Sequence, residues 1–299
     1  MSVRKRLSFA ELYGLVYSDK NAKRLERFAV TLSALGFVAH LAAVFVARHA
    51  PHAPALIAAA GKNYLSAIYT PFSIILFYEV LVLIAAIPKS TTQAIAGQFE
   101  IVSLIFIRSF FKEIARFDIE EIQERTRDLI PAFLYVGAGL VMFLLVGIFQ
   151  HIARQRPAEV PGELPAELHK FIARKKIIAL LLTVVFLALG AFSLGDLVVS
   201  LIRQTNGAQV QLDTRPAFYT EMFTVMIFTD VLILILSLLV SDRYEFVFRN
   251  AAFVIATILI RFSLTAAAPY GALLGVAAMV FGILTLLIYN YNMRIVRRA

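Results

Sequence analysis

The sequence predicts an all-α, polytopic membrane protein of about eight transmembrane helices, arranged as two parallel four-helix repeats. Three observations lead there. The 299 residues are 60% hydrophobic and 16% charged, with a mean hydropathy of +0.78. Soluble domains are about 45–50% apolar and about a quarter charged. Several apolar runs reach about 20 residues, enough to cross about 30 Å of hydrocarbon as a helix. They lack the alternation of barrel strands, and a helix satisfies its own backbone in lipid.

The third observation is a stretch that occurs twice. Phe77-Tyr78-Glu79-Val80-Leu81-Val82-Leu83-Ile84 and Phe228-Thr229-Asp230-Val231-Leu232-Ile233-Leu234-Ile235 both read Phe-x-acid-Val-Leu-x-Leu-Ile. Ala-x-Tyr-Thr precedes each, at 67–70 and 217–220, and Ile-x-Ile-Arg follows each, ending in Arg108 and Arg261. The acid-to-arginine spacing is 29 residues in one copy and 31 in the other.

Taken in order, residues 1–27 form a basic segment with Arg4, Lys5, Arg6, Lys20, Lys23, Arg24 and Arg27. Phe9, Leu12, Tyr13 and Val16 recur at helical spacing, which predicts a short amphipathic helix on the cytoplasmic membrane surface. The length of polar chain before the first apolar run argues against a cleavable signal peptide. Spans are expected at about 28–47, 67–87, 97–115, 131–151, 176–199, 217–240, 246–264 and 271–291. The third holds Glu100, Arg108 and Lys112, and is recognised by its match to the seventh. Pairing first with fifth through fourth with eighth gives repeats over 28–151 and 176–292. An even number of spans per copy makes them parallel rather than inverted.

Residues 152–175 are read as a cytoplasmic linker with Pro157, Pro161 and Pro165, starting a short helix near Pro165. Residues 112–130 are expected to carry the third helix beyond the membrane, with charges of alternating sign on a solvated surface. Residues 293–299 form a basic cytoplasmic tail. With the N-terminus inside, inner segments hold 18 Lys/Arg and outer segments eight. Both termini are therefore expected in the cytoplasm, the protein lying in the plasma (inner) membrane. Tryptophan is absent, so the aromatic belt falls to tyrosines near span ends, among them Tyr64, Tyr135, Tyr270 and Tyr289.

The candidate site residues are the charged and polar groups within the spans. Glu79 with Arg108, and Asp230 with Arg261, stand on successive helices at depths an arginine can bridge. A lone charge at that depth costs about 3 kcal/mol or more, so such groups face the interior and find partners. They either line an ion or proton path or fix helix packing, and buried pairs often contribute little net stability. Glu100, eight residues before Arg108, has no counterpart in the second copy and makes the first half the better site. Ser103 and Thr257 are hydroxyls that join the network or serve close packing. His40, in the first span, has no second histidine at its depth and is read as bonded to a neighbouring helix. His49 and His52 are read as surface histidines rather than a metal site. Arg108, Lys112 and Arg116 fall at intervals of four, yet only Arg108 lies deep, too few for a voltage sensor.

The sequence has no cysteine, which excludes disulfides and thiolate chemistry. It also lacks the phosphate loop, zinc-protease helix and serine elbow of familiar enzymes. The expectation is a transporter or ion-conducting protein, not an enzyme, with no cofactor and no metal. Its expected partners are the bilayer, anionic lipid at the basic segments, and a small ion or proton. A homo-oligomer is compatible with this; nucleic acid is not expected, since the net charge of +9 suits membrane loops. The alternative is a non-conducting membrane subunit or scaffold.

Overall fold

The computed structural model describes residues 9–50, 57, 63–115, 129–155, 166–205, 217–239 and 243–296. Among these the chain is helical, without strands. A short helix α1 (Phe9–Val16) leads into α2 (Asp19–His49). A 3-10 turn, Tyr64–Ile68, opens α3 (Tyr69–Ala86). Then follow α4 (Thr91–Ile114), α5 (Ile130–Arg154), α6 (Ala166–Thr205), α7 (Ala217–Leu238), α8 (Tyr244–Thr265) and α9 (Tyr270–Val296). All but α1 contain a stretch long and apolar enough to cross a membrane, the 3-10 turn counting with α3.

Local chemistry sets several helix starts. Ser18 caps α2, its hydroxyl accepting from Asn21 N at 3.4 Å, and Ser90 caps α4 by accepting from Gln93 N at 3.3 Å. Such caps satisfy backbone donors that the first turn leaves unpaired. Pro131 opens α5, where its missing N–H costs nothing.

Two helices start earlier than hydropathy alone suggests. The first span's helix begins at Asp19, so much of the basic segment is its opening turns. The helix starting at Ala166 runs unbroken to Thr205, so no separate short helix precedes the fifth span. Residues 116–128 and 156–165, with the expected helical extension and the three linker prolines, lie outside the described residues.

Packing divides the bundle in two. Helices α4, α5, α8 and α9 share one core, with Phe99, Phe106, Met142, Phe149, Phe253 and Met279 at its centre. Phe149 bridges it, its ring 5.1 Å from Phe99 and 6.0 Å from Phe253. Gly139 permits the close approach of α5 to α4, because a Cβ there would stand 2.6 Å from Ile107 Cδ1. Helices α3, α6 and α7 share the second core, built on Val80, Ile84, Leu182, Phe186, Met222 and Met226. Helix α2 packs against α3 and turns a long row of apolar side chains outward, including Phe28, Leu35, Val38 and Phe45.

Helix α1 lies against α6. Tyr13 Oη donates to the Ala85 carbonyl at 2.7 Å, and the Tyr17 hydroxyl bonds that of Thr183. Its tyrosine side thus faces protein, while Phe9, Leu12, Leu15 and Val16 remain exposed. The amphipathic pattern in the sequence therefore covers two surfaces, one of them the bundle itself.

Candidate functional site: two buried carboxylate–guanidinium pairs

Each pair is assembled from two consecutive helices. Glu79 stands seven residues before the last residue of α3 (79 to 86), and Asp230 eight before that of α7 (230 to 238). Arg108 and Arg261 each stand 17 residues after the first residue of α4 and α8 (91 to 108, 244 to 261). The apolar residues around them drive these faces inward, carrying the charges with them.

In the first pair Arg108 Nη1 contacts Glu79 Oε2 directly. In the second, Arg261 sends Nη2 to Asp230 Oδ2 at 2.6 Å and Nε to the same oxygen at 3.2 Å. Its Nη1 points at Met226 Sδ, 3.4 Å away. The two pairs are shielded differently. The Glu79 side chain is 7% exposed and that of Arg108 21%, whereas Asp230 is 12% and Arg261 4%. The more reachable member is thus the arginine in one pair and the acid in the other. Stacked Phe72 and Phe111, with centroids 4.7 Å apart, join α3 to α4 beyond the first pair. On the other side of α3, the Phe77 and Phe186 rings meet α6 at 4.3 Å. Charge-assisted hydrogen bonds of this kind gain strength where water is excluded.

The remaining predicted residues are not drawn into these pairs. Glu100 is exposed and accepts from Gln150 Nε2 on α5. Eight residues of helix turn it about 80° away from Arg108 at 3.6 residues per turn, so the spacing sets the two on only roughly the same face. Ser103 and Thr257 are buried, but each hydroxyl donates to a carbonyl of its own helix, Glu100 O at 2.7 Å and Val254 O at 2.8 Å. These bonds fit the packing reading of the two residues. His40 Nδ1 lies 2.6 Å from Thr70 Oγ1, joining α2 to α3 as a bonded histidine. Thr70 is the threonine of the first Ala-x-Tyr-Thr; side chains of the second copy, like His52 and Arg116, lie outside the described residues. His49 is exposed, its Nδ1 2.9 Å from the Phe45 carbonyl.

Lys175 is a charged residue of the interior that escaped the sequence reading. Lys175 is buried, donates to the Lys89 carbonyl at 2.8 Å, and lies 5.4 Å from the centre of the Phe171 ring. It also feels the charge of Asp230. Within Arg174-Lys175-Lys176 it looks like one more cytoplasmic cation. Only its register, four residues after Phe171 and four before Ala179 of the second core, marks it as facing inward.

Fold and site together have the make-up of a multi-pass membrane protein: eight helices long and apolar enough to cross a membrane, with two acid–arginine pairs set between them. No known protein family matches the chain, and no curated protein or solved structure matches it either.

Proposed function

We propose that this is a membrane transporter or ion-conducting protein in which Glu79 and Asp230 carry a proton or small cation, with Arg108 and Arg261 as their counter-charges. The observation behind this reading is the recurrence of a buried acid–arginine pair at matching positions on α3–α4 and α7–α8. Buried intramembrane charges are costly and characteristically mark ion or proton pathways. A proton delivered to Glu79 would neutralise the carboxylate and dissolve its attraction for Arg108. The guanidinium would then need another anion or water, and that need couples protonation to movement of α3 against α4.

The proposal includes two parallel four-helix repeats in the plasma (inner) membrane, with both termini cytoplasmic and anionic lipid at the basic segments. In support, α4 packs against α8 and α5 against α9, so corresponding helices meet each other at the centre. A two-fold axis between repeats brings like helices together in this way, and the even number of spans per copy makes it an axis along the membrane normal.

A second reading, a non-conducting subunit or scaffold, is favoured by the burial of Glu79 and Arg261. In it the pairs only fix helix packing. Reconstitution into liposomes under a panel of ion gradients separates the two. Transport predicts a flux in wild type that Glu79→Gln abolishes at matched amounts of folded protein. A scaffold predicts no flux in wild type, and a lower yield for Glu79→Gln.

A further inference from the structure

The geometry points to the groove along the N-terminal third of α2 as a binding site for the headgroup of an anionic glycerophospholipid. The groove is open to the surface, about 520 Å³ in volume, and is lined by the exposed face of Lys23, Glu26, Arg27, Val30 and Thr31. Lys23 and Arg27 are one turn apart and share a face, and Val30 and Thr31 continue it by another turn. Charged heads thus give way to apolar surface where the long apolar run of α2 begins, as in a lipid whose phosphate passes into acyl chain.

The charges of this groove are otherwise uncommitted. Among the described residues, Lys23, Glu26 and Arg27 enter no ion pair with another side chain. Exposed Lys20, Lys23, Arg24 and Arg27 outnumber Asp19 and Glu26 on this stretch, so the local field favours an anion. A phosphodiester can take Arg27 through two guanidinium donors and Lys23 as a point charge. Glu26 would accept from the hydroxyls of a glycerol headgroup. It also lies within electrostatic reach of Tyr78 on α3.

The neighbouring α1 sets the depth. Its exposed Phe9, Leu12, Leu15 and Val16 suit the boundary between headgroups and acyl chains. The groove opens from the helix that follows directly, at the level where lysine and arginine reach lipid phosphate. A lipid is therefore the source of the phosphodiester, rather than a solute from bulk water. The site rests on the proposed membrane placement with anionic lipid at the basic segments, and not on whether the acid–arginine pairs carry ions.

The test uses the full-length, delipidated protein in detergent, titrated with phosphatidylglycerol or phosphatidylcholine and followed by native mass spectrometry. Phosphatidylglycerol is expected to bind about tenfold or more tightly than phosphatidylcholine, and Lys23→Gln with Arg27→Gln to remove that preference. The pair Lys20→Gln with Arg24→Gln removes equal charge outside the groove and is expected to keep it. All four residues are exposed, so both variants should remain monodisperse. Equal loss in the two double variants would overturn the site, as would equal binding of the two lipids. Displacement of phosphatidylglycerol by water-soluble glycerol 3-phosphate would also overturn it, reassigning the groove to a free phosphoester.

Discussion

Arg261 directs three of its donors inward, two at Asp230 Oδ2 and one at Met226 Sδ. A guanidinium held this way is costly to disturb from one side alone. Removing one partner of a buried pair typically costs about 3–5 kcal/mol, because the other charge stays behind without compensation. Replacing both by apolar groups of similar volume is often neutral. Arg261→Met is therefore expected to lower thermal stability and folded yield sharply, and Asp230→Leu added to it should recover most of the loss. Thermal melting of the purified variants reads this directly. A double variant no better than the single one would mean the pair is not the unit that matters. Glu100 gives the contrast: exposed and bonded to Gln150, it should tolerate Glu100→Gln with a change within about 0.5 kcal/mol, the usual range for surface positions.

Among the elements, α1 joins parts of the chain that are far apart in sequence. Tyr13 ties it to the last turn of α3, six residues beyond Glu79, while Tyr17 ties it to α6. Burial, with a smaller contribution from Tyr17, pushes the Tyr13 phenol up to about 12. The unfolded chain gives up that proton near pH 10, earlier than the native one, so above pH 10 the unfolded state binds fewer protons. The stabilising contribution of Tyr13 is thus complete below pH 10 and is lost as pH rises through about 12. Tyr13→Phe should flatten this alkaline fall in melting temperature. Tyr13→Phe with Tyr17→Phe should also release α1, seen as faster amide exchange over 9–17. If exchange there is unchanged, the hydroxyls do not hold the helix.

On the scale of the whole molecule, the spans were legible because hydropathy reports where lipid-compatible chain occurs. Helix boundaries were less so. Polar helix formers carry α2 back to Asp19 and α6 back to Ala166, and no hydropathy change marks those points. Both acid–arginine contacts were legible because each copy of the motif repeats both spacing and residue type. The bond of Glu100 to Gln150 on α5 was not legible, because it depends on how α4 and α5 pack. Lys175 was missed because its basic neighbours disguised its register. The tyrosine contacts of α1 depend on α3 and α6 meeting beneath it, which no local pattern records.

The most direct test of the central claim is flux through liposomes holding equal, verified amounts of folded wild type, Glu79→Gln and Asp230→Asn. With carboxylates that carry the ion, wild type conducts under the right gradient and each neutralised variant loses at least about tenfold in rate, equivalent to about 1.4 kcal/mol. Undiminished flux in both variants, at matched folded protein, would contradict it.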